Sequence, residues 1–181
     1  MSKVFEEITP ELQAWIEQQP MFFVATAPLA GDGLINCSPK SLDSFRVLGP
    51  RTVAYLDLTG SGVETIAHAR ENGRICIMLC AFDGAPKILR LQGTADVIVP
   101  GTPGWDELSP RFTMLPGARA IVRAQLTRIA DSCGWAIPKF EKTADRDGLL
   151  RWAENQGPEG LTKYRSEKNA LSLDGLPGIA S

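Results

Sequence analysis

Residues Arg74–Phe82 (RICIMLCAF) are apolar after the first, and Asp83-Gly84 follows at once, then a second run, Lys87–Val99. A run this short, this apolar and bounded by a turn dipeptide reads as a strand covered on both faces. Asp-Gly reverses the chain tightly, so the two runs are expected to pair as an antiparallel hairpin. No strand–helix–strand–helix repeat surrounds that hairpin, which disfavours a parallel doubly wound sheet. The expected class is mainly β with peripheral helices, its antiparallel strands curled into a closed or half-closed barrel.

The other elements follow from local chemistry. Thr9-Pro10-Glu11 starts a helix, with a hydroxyl cap followed by proline where no N–H is needed, and Leu12, Trp15 and Ile16 give it one apolar face. Met21–Ala27 and Leu34–Cys37 read as two strands of a hairpin around Gly31-Asp32-Gly33, and Thr52–Leu58 as a third strand. Ser61 followed three residues later by Glu64 has the form of a capping box, and Asn72-Gly73 that of a helix end, so Gly62–Asn72 is expected to be helical. Pro100–Gly117 is either irregular or a short helix around Trp105–Leu108. Ala120–Ala130 fits two patterns: Val122, Ala124 and Leu126 alternate as a strand would, while Ile121, Gln125 and Ile129 would stripe a helix, and the strand is preferred. Asp145–Asn155 and Pro158–Lys168 read as short helices, and Leu171–Ser181 as an extended surface arm.

Composition narrows the functions open to such a chain. The 181 residues are 44% hydrophobic and 22% charged, which suits one ordered domain. The barrel is expected to span residues 1–181, with 136–181 a helical C-terminal extension and arm. Nineteen basic against 21 acidic residues give a net charge of −2, so no sequence-independent grip on nucleic acid is expected. No apolar stretch approaches the roughly 20 residues that span a bilayer, and MSKVFEEITPELQ has no signal-like run. A cytoplasmic protein that binds neither membrane nor nucleic acid is therefore expected. Cys37, Cys76, Cys80 and Cys133 read as free thiols that pack as small apolar groups.

Two segments carry candidate chemistry. Asn36-Cys37-Ser38-Pro39-Lys40 lies at a strand end. Asp57-Leu58-Thr59-Gly60-Ser61-Gly62-Val63-Glu64-Thr65 runs from a strand through a glycine turn into a helix. A helix N-terminus offers unpaired N–H groups and partial positive charge, glycines allow close approach, and hydroxyls add donors: together, a phosphate site. Lys40 would add a full positive charge from a separate strand. Read alone, the second segment is equally an ordinary capped helix after a turn.

The ordered set of segments resembles the pyridoxamine 5′-phosphate oxidase-like FMN-binding split barrels, on a branch other than the oxidase itself. Ser38-Pro39-Lys40, Val53–Leu58, Gly60–His68, Asn72-Gly73-Arg74 and Ile88–Gly93 carry the resemblance, with Asp131–Trp135 and Lys168-Asn169 through Gly178 further along. It implies an antiparallel split β-barrel, FMN as cofactor, and a homodimer with the cofactor at the subunit interface. On that basis Ser38, Lys40 and the turn of Thr59, Gly60, Ser61, Gly62 and Thr65 would meet the phosphate. Pro39, Asp57, Leu58 and Thr59 would back the flavin ring, and Arg119 and Trp135 are candidates for closing the site from the partner. The oxidase branch holds its substrate with an Arg-x-His element near the C-terminus. The only histidine here, His68, lies on the capped helix, so oxidation of pyridoxamine phosphate itself is not implied.

The function expected is an FMN-dependent oxidoreductase acting on a small-molecule substrate with an electron donor. The alternative is a non-enzymatic binding or sensing protein for flavin, deazaflavin or a tetrapyrrole, suggested by the lack of an acid–base cluster. No catalytic residue and no metal ligand set is assigned.

Overall fold

The computed structural model describes residues 3–179. Its elements are β1 (Val4–Phe5), α1 (Pro10–Glu17), β2 (Phe22–Thr26), β3 (Asn36–Lys40), β4 (Phe45–Gly49), β5 (Thr52–Leu58) and α2 (Glu64–Glu71). There follow β6 (Arg74–Cys80), β7 (Ile88–Ile98), α3 (Pro103–Leu108), β8 (Ala118–Ser132) and α4 (Gly148–Lys168). All strand pairings are antiparallel, in the order β3-β2-β6-β7-β8-β5-β4, with β1 added along β8. The ends of that order, β3 and β4, share no ladder, which makes the sheet a split barrel rather than a closed one.

The β6–β7 hairpin forms as its sequence dictates, with Arg74 opposite Thr94 and Cys80 opposite Ile88. Inward residues alternate along the strands, as a half-covered sheet requires. Phe22 and Val24 of β2, Ile77 and Leu79 of β6, and Leu89 and Leu91 of β7 join Val53, Tyr55, Val122 and Leu126 in one buried cluster, closed at one end by Leu12 and Ile16 of α1. Thr9 caps α1 as expected, its Oγ1 accepting the Leu12 N–H at 3.3 Å. Among the described residues no helix is long and apolar enough to cross a membrane.

Four expectations are corrected. The second strand is not Leu34–Cys37 but Asn36–Lys40, because Gly31–Ile35 is spent on the connection, so Ser38-Pro39-Lys40 lies within the strand. β4 has no counterpart in the sequence reading: its turn from β3 contains neither glycine nor proline, and Leu42 and Asp43 take left-handed backbone there, at φ 65° and 51°. The capping box does not form. Helix α2 begins later than expected, at Glu64, with Val63 at its cap position and no side chain bonding its first amides. The C-terminal segment is no free arm, for Ser172, Gly178 and Ile179 are buried and Arg70 donates to the Gly178 carbonyl. Residues 180 and 181 of that predicted arm lie outside the described residues. The two predicted C-terminal helices are present as α4, interrupted at Gly157 (φ 63°, ψ 177°).

Candidate functional site

A cavity of about 580 Å³ opens beside the split, within the roughly 300–1,000 Å³ typical of small-molecule sites. Its walls are the inward face of β3 (Asn36, Ser38, Lys40), the β3–β4 turn, the end of β5 (Asp57, Leu58) and the approach to α2 (Gly60, Gly62, Thr65). Residues 142–149 cover it with Lys142, Arg146 and Leu149.

A buried ion triad lies along one wall. Asp57 is 1% exposed and Arg119 is 5% exposed. Arg119 Nε donates to Asp57 Oδ2 at 2.7 Å, and Lys40 Nζ to Oδ1 at 3.2 Å. Burial works to raise the Asp57 pKa, but the Arg119 and Lys40 charges outweigh it and hold the carboxyl below the ordinary aspartate value. Burial first, and then the Asp57 charge, push the neighbouring Tyr55 phenol well above its usual range, so it stays neutral.

Arg119 reaches Asp57 because β8 bulges. Ala120 pairs with Asp57 and Ala118 with Leu58, leaving Arg119 as the extra residue, aimed inward. Its other nitrogens donate to Asn169 Oδ1 at 2.8 Å and to the Gly62 carbonyl at 2.9 Å. Asn169 in turn donates to the Gly60 carbonyl at 3.0 Å, so the start of the C-terminal segment ties down the glycine turn.

Nine of the twelve predicted site residues line this cavity: Ser38, Pro39, Lys40, Asp57, Leu58, Gly60, Gly62, Thr65 and Arg119. Thr59, Ser61 and Trp135 do not. Thr59 is fully buried, its hydroxyl donating to the Gly117 carbonyl at 2.8 Å and accepting Arg165 Nε at 2.9 Å. Ser61 is exposed, and Trp135 is 83% exposed on the surface. Arg119 lies in its own chain's wall, with Asp57, Asn169 and the Gly62 carbonyl holding its three nitrogens. The sequence reading places Asn36 in a candidate segment without a role of its own, and Asn169 only among the residues that carry the resemblance; the contact of Asn169 with Arg119 crosses 50 positions. That reading misses Lys142, Arg146 and Leu149, which no motif marks.

The wall residues suit an anionic cofactor such as FMN. Among the described residues Ser38 Oγ and the Tyr55 hydroxyl are buried with no hydrogen-bond partner, and of the two only Ser38 lines the cavity, where it marks a place for a ligand oxygen. The first amides of α2 have no side-chain cap, and the surroundings of Gly60 are open. Four basic residues, Lys40, Arg119, Lys142 and Arg146, line the cavity against three acidic ones, Asp57, Glu64 and Asp145.

A split barrel of antiparallel strands with a cavity at the strand–helix turn defines the class. The chain belongs to the pyridoxamine 5′-phosphate oxidase family, whose model matches residues 8–134. It is 41% identical, over an alignment of 196 residues, to the pyridoxamine 5′-phosphate oxidase family protein ustO of Aspergillus flavus, covering 98% of this chain and 78% of that one. Among solved structures it is similar to HupZ of Group A Streptococcus, with 26% identity and a TM-score of 0.51 over 67% of this chain and 91% of that one. The FAD binding protein of Mycobacterium smegmatis shares the fold at 18% identity and a TM-score of 0.50, over 72% of this chain and 96% of that one.

Proposed function

We propose that the chain is an FMN-binding flavoprotein, an oxidoreductase for a small-molecule substrate, that works as a homodimer. The observation that carries this reading is the partnerless buried hydroxyl of Ser38 on the same cavity as the uncapped start of α2. Those groups and Lys40 would hold the phosphate, since helix-start amides and an ammonium favour an anion. When bound, FMN supplies hydride and electron transfer at its ring. The chain's own residues bind and orient. Arg119 holds the Gly62 carbonyl, and Asn169 holds the Gly60 carbonyl. Both turn oxygens are thereby occupied by donors of the fold. Asp57 keeps its negative charge at neutral pH and so serves as an anchor for Lys40 and Arg119, not as a proton donor.

Residues 136–181 belong, in this reading, to the same domain. Lys142, Arg146 and Leu149 wall the cavity, and Asn169 joins it to Arg119. The homodimer is supported by apolar side chains left in water near the β3 edge, Leu29, Leu34 and Ile35, at 65%, 54% and 79% exposure.

Purified protein should be yellow, or take up added FMN, and absorb between about 350 and 500 nm; a nicotinamide donor should bleach that absorbance. A colourless protein that takes up no FMN at micromolar concentration would overturn the proposal. The pairing of Asp57 and the absence of histidine from the cavity lining favour a second reading, a non-enzymatic holder of flavin, deazaflavin or tetrapyrrole. Mass spectrometry of the released ligand identifies it, and steady turnover with a donor and acceptor removes the second reading.

A further inference from the structure

From the cavity wall a polar chain runs into the core, of which the phosphate reading uses only Thr65. Thr26 Oγ1 is 2.9 Å from His68 Nδ1 and 3.0 Å from Asn36 Nδ2. Asn36 Nδ2 also lies 2.9 Å from Thr65 Oγ1. His68 is fully buried, and its other ring nitrogen, Nε2, has no hydrogen-bond partner among the described residues. What faces that nitrogen is Asp174 of the C-terminal segment, with Oδ2 at 3.9 Å. Asp174 is held there by the Leu34 N–H, which reaches Oδ1 and Oδ2 at 3.2 and 3.1 Å.

Proton counting fixes the polarity of this chain. A carboxylate facing one ring nitrogen favours the proton on that nitrogen, because a lone pair turned toward an anion is repelled. The neutral ring therefore carries its proton on Nε2 and leaves Nδ1 as an acceptor. A threonine hydroxyl has one proton to give, and Nδ1 takes it. Thr26 Oγ1 can then only accept from Asn36. The two ends of an amide are told apart by their partners, so the NH₂ group of Asn36 must face Thr26 and Thr65. Both its hydrogens are used there. Its carbonyl oxygen has no partner among the described residues, and Asn36 lines the cavity.

We propose that Asn36 is a ligand-recognition residue that offers this carbonyl oxygen to a hydroxyl of the bound molecule, and that His68, oriented by Asp174, is the positioning residue that fixes it as an acceptor. The ligand class follows from the place. Asn36 shares the inward face of β3 with Ser38 and Lys40 and touches Thr65 in the first turn of α2, beside the anion end of the cavity. A hydroxyl next to an anion is a phosphorylated polyol. With the flavin reading, on which the identity of this ligand rests, it is the ribityl phosphate arm of FMN.

His68 is the chain's one histidine, so a long-range proton–nitrogen-15 spectrum of the ligand-free protein at about pH 8 reports it without assignment. The Nε2–H tautomer is expected, and Asp174→Asn should shift population toward Nδ1–H. A dominant Nδ1–H form in the wild type, or no response to Asp174→Asn, overturns the relay. For the ligand, FMN should bind the wild type more tightly than an analogue whose side-chain hydroxyls are replaced by hydrogen. Asn36→Ala should weaken FMN by about three- to tenfold and the analogue by less than about twofold. Equal affinity of the wild type for both molecules, or equal losses in the variant, overturns the role of Asn36. If the wild type binds neither molecule, the flavin reading fails and this ligand with it, while the tautomer measurement still judges the relay.

Discussion

Asp57 shows how one residue ties stability to the site. It neutralises two cations at once, and removing it leaves Arg119 buried with no counter-charge. Asp57→Ala should destabilise the fold by about 3–5 kcal/mol in denaturant titrations, the cost of breaking a buried ion pair from one side. The same pairing makes stability depend on pH. An aspartate in the unfolded chain titrates near 3.9, and in the fold this carboxyl titrates lower. Between those values the unfolded chain binds more protons. The Asp57 contribution is therefore complete above about pH 4–5 and is lost as pH falls through the folded value. Acid unfolding of the wild type and of Asp57→Ala should converge in that range, and parallel curves would contradict the pairing. Lys40→Ala is a different case. Arg119 still holds Asp57, so the fold should survive while FMN affinity falls by about 1.5–3 kcal/mol in fluorescence titration. Unchanged affinity would place the phosphate elsewhere.

At the scale of elements, close contact between β7 and β8 depends on Gly93. The register slips between Gln92 and Gly93, and a Cβ on Gly93 would collide with the Gln125 carbonyl oxygen. Gly93→Ala must therefore push two central strands apart, and a drop in melting temperature with loss of soluble protein is expected; native stability would refute that packing. Most of these elements are legible in the sequence, because periodicity and turn residues act locally. The β6–β7 hairpin, β5 and the start of α1 follow from alternation, Asp83-Gly84 and Thr9-Pro10, whereas within β8 the same residues also fit a helix stripe and only the sheet decides between them. The start of α2 is not legible, because Ser61-x-x-Glu64 has the form of a capping box while the turn is held instead by Arg119 and Asn169. β4 is silent because its turn holds two successive residues in left-handed backbone, and although aspartate tolerates that conformation, Leu42 gives no sign of it. The site divides the same way. Ser38, Lys40, Asp57 and the glycine turn lie in contiguous motifs, whereas the roles of Asn36 and Asn169 come only from partners 10 to 109 positions away.

For the whole molecule, ligand and assembly are linked. A molecule that binds only the folded state stabilises it by about 2.7 kcal/mol at a hundredfold excess over its Kd. At roughly 2–4 °C per kcal/mol for a chain of this size, FMN should raise the melting temperature by roughly 5–11 °C. Riboflavin, which lacks the phosphate, should do much less, and equal shifts would argue against the anion end of the cavity. The proposed dimer gives Trp135 a test of its own. In one chain it is 83% exposed and lies off the cavity, so nothing in the fold of a lone protomer requires it. If it closes the partner's flavin site, Trp135→Ala should leave the melting temperature of flavin-free protein unchanged, yet weaken FMN binding and favour monomers in sedimentation at high dilution. If flavin affinity and dimer strength both survive the change, Trp135 lies outside the interface, and the partner must close the site with another part of its surface.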